Sequence, residues 1–411
     1  MVKIRNAGGW PAVVAVAGGT FSVVTTEMLP VGLLSPVGTD LGVSDGTAGL
    51  TMTVPGLVAA AAAPLVTGAA GRLDRRWLLV ALMGLLAAAN FLAAAAPSIA
   101  VLVGLRVLVG VSIGGVWAVA AGLGARLVPA RSAGAATSVV FSGIAVASVL
   151  GVPAGTLVGG WGGWRAAFAV MGAVASVVTV VLAVLLPPLP AGEAASFRAL
   201  PRLLRGRRVR LGLLIVLLLV SGHFAGYTFV RPVLERLPGA DSGTIGALML
   251  AYGVAGVGGN FLAGTAVTHR PRVVLVTIAV VLGAVVPTVS WVSSVSSVSS
   301  VRNGTAVAAG LLVVWGLAYG GVSVSTQTWL TAAAPEAREA ASALFVAVFN
   351  VAISVGALLG GRAVDAVSLS GALWLGGLLA LAAVVPLGLA GRGRANGRAA
   401  ERRRDPSPAR P

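Results

Sequence analysis

Twelve apolar stretches divide this chain, each near the ~20 residues that a helix needs to cross a bilayer. They fall at 11–34, 47–69, 78–96, 99–125, 134–159, 165–187, 211–230, 244–266, 272–292, 306–330, 340–361 and 371–390. The polar chain between them is too short to build a water-facing globule. Charged residues make up 10% of the 411 residues, against about 25% in a soluble domain. The expected fold is therefore all-α and polytopic, with the start MVKIRN retained ahead of the first span rather than cleaved as a signal peptide. With no cysteine and only two distant histidines, His223 and His269, no metal or other cofactor is expected. The chain lacks GxxxxGK[ST], HExxH and GxSxG, which argues against an ATP motor and against an enzyme.

Basic residues set the orientation. Lys3, Arg5, Arg72, Arg75, Arg76, Arg126, Arg131, Arg198, Arg202, Arg205, Arg207, Arg208, Arg210, Arg270, Arg272, Arg338 and the tail arginines fall on one side of a twelve-span zigzag. Arg165, Arg231, Arg236, Arg302 and Arg362 fall on the other. Both termini are thus expected in the cytoplasm, with the protein in the cell inner (cytoplasmic) membrane. The net charge of +17 follows from this pattern and does not imply nucleic acid. The Pro- and Arg-rich 188–210 reads as a cytoplasmic linker between six-helix bundles at 1–187 and 211–390, with a disordered basic tail at 391–411 and a low-complexity outer loop at 293–303. The halves repeat: Gly110, Gly114, Gly115 and Pro129 match Gly316, Gly320, Gly321 and Pro335 at one constant offset, and Gly46-Thr47-x-Gly49 matches Gly243-Thr244-x-Gly246. Parallel six-helix repeats place a transporter's site between the halves.

Glu27 and Arg106 are full charges inside apolar segments. Each costs roughly 2.5–3.5 kcal/mol at the bilayer centre on insertion scales, so the pair marks an ion or substrate path or else a structural ion pair. Counting along the spans puts both about 10 Å below the outer surface, where they are expected to pair or share a proton. In the fifth span Gly143, Ala147, Gly151, Gly155 and Gly159 form an i+4 ridge with Pro153 inside it, suited to tight packing or to a bending gate. His223 and Tyr227 share a face of the seventh span; with Asn350, Asn90 and Trp117 they form the candidate substrate-contacting set, the alternatives being interhelical hydrogen bonding and, for His223, a proton relay. The loop after the second span carries Asp74, Arg75 and Arg76, a candidate gate clasp or a simple topology signal.

Several of these segments resemble the major facilitator superfamily, in its twelve-helix drug:proton antiporter branch. TTEMLPVGLLSPVGTDLGVS (25–44) is similar to the branch's first-helix signature, LRVLVGVSIGG (105–115) to its fourth-helix motif, GVPAGTLVGG (151–160) to its fifth-helix antiporter motif, and GWRAAF (163–168) to a further branch feature. GGVWAVAAGLGARLVP and HFAGYTFVRPVLE resemble the purine-nucleoside and sugar exporters of that branch. In the loop after the second span the family's acid is displaced: Arg72 holds its position and Asp74 follows. The resemblance implies two pseudo-symmetric six-helix bundles and proton coupling at Arg106 with Glu27. It implies export of small drug-like molecules in exchange for protons by alternating access, with nucleosides or sugars as the alternative cargo and proton-coupled import a less favoured direction. A monomer is expected, with substrate, protons and the lipid bilayer as its partners.

Overall fold

The structure, a computed structural model, describes residues 9–69, 73–190, 200–299 and 304–390. The basic residues Lys3, Arg5, Arg72, Arg198 and Arg302, part of the linker and the whole 391–411 tail lie outside them. The first half contains α1 (Gly9–Met28), α2 (Leu34–Leu41), α3 (Asp45–Ala48), α4 (Leu50–Ala69), α5 (Arg75–Ala94), α6 (Ile99–Leu127) and α7 (Ala133–Leu185). The second contains α8 (Leu200–Arg205), α9 (Arg207–Tyr227), α10 (Val230–Leu234), α11 (Ser242–Val267), α12 (Pro271–Ser299), α13 (Gly304–Ala333), α14 (Arg338–Ala366) and α15 (Leu369–Ala382).

Among the described residues, 11 helical segments are long and apolar enough to span a membrane. The longest, with 56 residues, holds two spans, which gives twelve. Gly163 divides it at φ 76° and ψ 168°, a conformation that glycine adopts without penalty. Directly after this break, Trp164 Nε1 (3.1 Å) and Arg165 both donate to Asp40, fastening the sixth span to the end of the first. Helix starts use side-chain caps: Ser44, Asp74, Ser98, Asp241 and Ser368 each accept from a backbone N–H two or three residues on. The backbone and side chain of Thr244 hold the Asp241 carboxyl below the usual carboxylate range.

The two halves are built alike. In the first, α7 packs on α1, α4 on α6 and α5 on α7; in the second, α14 packs on α9, α11 on α13 and α12 on α15. The repeated glycines mark equivalent crossings. Gly110 and Gly114 lie against the backbone of Pro55 and Ala59 on α4, while Gly316 and Gly320 lie against Tyr252 and Gly256 on α11. Such crossings need small residues, because van der Waals contact drives helix association in lipid.

Two boundaries differ from the sequence reading. The first span is not one helix to 34: a 3₁₀ turn, Leu29–Leu33, separates α1 from α2. Pro30 and Pro36 explain it, since neither can donate to the residue four before it. At the other end of the chain, 293–299 is not loop but a continuation of α12. Ser293 and Ser294 bond the carbonyls of Val289 and Ser290 (3.0 and 2.9 Å), so their hydroxyls are satisfied by the helix itself.

Candidate functional site

Arg106 is fully buried, yet its guanidinium does not form an ion pair with the Glu27 carboxylate among the described contacts. It donates instead to backbone: Nε to Thr51 O (2.9 Å), Nη2 to Thr26 O (3.1 Å) and to Glu27 O (3.3 Å). The reason is written four residues further on. A helical carbonyl accepts from the N–H at i+4, but the residues four after Thr26 and Thr51 are Pro30 and Pro55. Each proline lacks that N–H, so each leaves a carbonyl that a buried structure must satisfy. One side chain on α6 satisfies both and ties α1 to α4.

Glu27 sits in the same pocket, 5% exposed. Its Oε1 and the Nη1 of Arg106 are both buried without a partner. Asn90 on α5 reaches the neighbouring residue, donating to Thr26 Oγ1 (3.2 Å) and to Leu86 O (2.9 Å), while its own Oδ1 is unmatched. Two elements, α5 and α6, therefore converge on Thr26 and Glu27 just before the first span breaks.

The second half holds an aromatic stack centred on His223. Tyr319 lies 3.4 Å from it, centroid to centroid, Tyr227 4.8 Å and Tyr252 6.2 Å, all near parallel. Trp315 and Phe224 meet the imidazole edge-on at 5.7 and 4.8 Å. Trp315 Nε1 donates to His223 Nδ1 (3.0 Å), and His223 Nε2 lies 3.4 Å from Tyr252 Oη. These rings come from α9, α11 and α13, and they include all 3 tyrosines of the chain.

Glycine contacts join the halves at one end only. Gly49 meets Phe229, Gly56 meets Ser354 and the Asn350 carbonyl, Gly253 meets Val149, and Gly46 lies against Asp365 and Gly361. Val149 is four residues before Pro153, so its carbonyl too lacks a helical donor. A buried arginine of the second half, Arg231, donates to Gly32 O, which Thr156 Oγ1 also approaches (3.4 Å) and which stands four before Pro36. Arg231 is held in turn by Glu235 (2.8 Å). All these contacts lie on the side of Asp40 and Asp365. Toward the opposite ends of α7 and α11 no such approach occurs among the described glycines, and Phe141 and Phe261 are exposed.

The remaining expected site residues are distributed as follows. Gly143 and Gly151 face α1, against Thr20 and Thr25, and Gly155 and Gly159 face the 3₁₀ turn that follows it, against Leu29 and Leu33. Pro153 is buried in the same helix where α11 approaches. Asp74 accepts from Arg76 N (2.8 Å) and Leu189 N (2.9 Å), Arg75 N donates to Leu189 O (2.8 Å), and Arg76 bonds Ala183 O. That loop clasps the start of α5 to the exit of α7 within the first half. Asn350 donates to Val346 O (2.9 Å) on its own helix and sits where α14 meets α4. Trp117 packs against the apolar core of the first half. The sequence reading missed Tyr252, Trp315, Tyr319 and Arg231.

Comparison with known proteins follows the same lines. A family model described as Major Facilitator Superfamily matches residues 16–337. The purine ribonucleoside efflux pump NepI of Salmonella paratyphi A is 34% identical over 378 residues, covering 92% of this chain and 93% of that protein. NepI of Salmonella typhimurium matches to the same extent. Among solved structures, the nucleoside transporter NupG superposes with a TM-score of 0.71 at 14% identity, covering 92% of this chain and 98% of that one. A bacterial homolog of the human lysosomal transporter Spinster, inward-facing and occupied, gives 0.68 at 16% identity, covering 92% and 94%. At these identities the two structures speak to the fold alone.

Proposed function

This chain belongs to the major facilitator superfamily and is a membrane transporter rather than an enzyme, and on that premise we propose that it exports purine nucleosides in exchange for protons. The observation that carries the reading is the aromatic stack around His223 in the second half. Stacked aromatic rings suit a planar base, since every base has a π-face. Unmatched oxygens at Glu27 and Asn90 suit the hydroxyls of a sugar. Relatives named for purine ribonucleoside efflux support the same cargo and direction.

In this reading Glu27 takes up and releases the proton. Its unpartnered oxygen shares the site with a guanidinium whose Nε and Nη2 are committed to backbone while Nη1 is unmatched. A change in the α1 break therefore alters the field at Glu27 without moving a partner side chain. The basic-residue pattern puts both termini in the cytoplasm, so the closed Asp40 side faces outward and nucleoside enters from within. Rocking of one half on the other then exposes the pocket outside. Residues 188–210 serve as the linker between bundles at 1–187 and 211–390, and the protein works as a monomer in the inner membrane.

A second reading, export of lipophilic cations, is favoured by one observation: Glu27 has no ion-pair partner among the described residues, so its carboxylate is free for a cation. Proteoliposomes with an imposed pH gradient separate the two. Inosine or guanosine is expected to collapse the gradient and cationic dyes are not; the reverse result selects the second reading.

A further inference from the structure

The hydrogen-bond chain through His223 has a direction. An indole N–H only donates, so Nδ1 of His223 is the acceptor of the 3.0 Å bond from Trp315. The ring proton then resides on Nε2, and Nε2–H is the donor toward Tyr252 Oη at 3.4 Å. Tyr252 therefore accepts from the histidine, and its own hydroxyl hydrogen is left to bond elsewhere. His223 offers a ligand little: both nitrogens are engaged, Tyr319 and Tyr227 stack on the ring, and it is 1% exposed. Reversing the chain would strand the Trp315 donor, which is fully buried, at the cost of an unsatisfied group.

We propose that Tyr252 determines specificity: Trp315 and His223 leave its hydroxyl hydrogen free to donate, so the transported base is read through an acceptor, a ring nitrogen or carbonyl oxygen. The inference rests on the nucleoside reading of the site. His223 and Trp315 act as positioning residues behind Tyr252. The seventh, eighth and tenth spans thereby read the edge of the base while the stacked faces hold its plane.

The test uses the full chain in detergent, with inosine and three analogues: N3 replaced by CH, N7 replaced by CH, and the 6-oxo oxygen removed. One analogue is expected to bind the wild type about tenfold more weakly than inosine, as for one lost hydrogen bond. Tyr252→Phe is expected to weaken inosine by that same factor and to bind the discriminating analogue as the wild type does. Nitrogen NMR of labelled histidine reports the relay without any ligand. His223 is expected to carry its proton on Nε2 in the wild type and to populate both tautomers in Trp315→Phe. A proton on Nδ1 in the wild type overturns the proposal, as does inosine binding that Tyr252→Phe leaves unchanged. If the wild type binds no nucleoside at all, the reading of the site falls and this inference with it.

Discussion

The charged pocket of the first half and the aromatic stack of the second occupy matching places in a repeated architecture and satisfy their polar groups in opposite ways. Gly110 approaches Pro55 as Gly316 approaches Tyr252. Where the first half has Arg106 and Pro55, the second has Leu312 and Tyr252. The arginine and the proline occur together and are replaced together. A proline strands a carbonyl at membrane depth, and the guanidinium satisfies it; with no proline there is nothing for an arginine to serve. The second half instead closes its hydrogen bonds among side chains, Trp315 to His223 to Tyr252. One half thus keeps unmatched charge beside a helix break, and the other keeps a buried aromatic cluster whose polar groups bond one another.

The largest effect is expected from Arg106→Ala, which strands the buried carbonyls of Thr26 and Thr51 at about 1–3 kcal/mol each. The unfolding temperature in detergent should fall by several degrees and transport should be lost; unchanged melting would mean that these bonds contribute nothing. Trp315→Phe should weaken nucleoside binding about tenfold while proton coupling per molecule transported stays the same, measured by calorimetry and flux; a change in stoichiometry would break the division between the halves. A smaller effect sharpens the proline argument. Pro55→Ala gives Thr51 O its helical donor, so Arg106→Ala should cost about 1 kcal/mol less in that background, and strictly additive melting shifts would argue against it. The smallest concerns the seam: Arg231→Gln should speed amide exchange in 29–34 severalfold by freeing Gly32 O, with nucleoside affinity unaltered.

Much of this was legible in the chain. Span lengths and the constant-offset glycines gave the twelve-span, two-half layout, and the i+4 ridge of the fifth span lies against α1 as small-residue ridges do. The pairing of Glu27 with Arg106 was legible only as proximity. Charge alone suggests a side-chain ion pair, whereas the structure directs the guanidinium to carbonyls. The signal was present as a proline four residues after Thr26, Thr51 and Gly32, but which donor fills a freed carbonyl depends on the packing of a distant helix. The aromatic stack was less accessible. Three tyrosines on α9, α11 and α13 carry no shared spacing, and only the crossing of those helices gathers them on His223. Asp74 was legible as a candidate gate clasp or a topology signal; that it accepts from the backbone of Arg76 and Leu189 within one half was not.

The central claim is that Glu27 handles the proton while the second half handles the base. Proteoliposomes carrying Glu27→Gln test it most directly, through nucleoside exchange at equal pH and accumulation driven by a pH gradient in one preparation. Exchange within about threefold of wild type, with driven accumulation abolished, is the predicted result. Driven accumulation that persists in Glu27→Gln, or exchange that disappears along with it, would contradict the account.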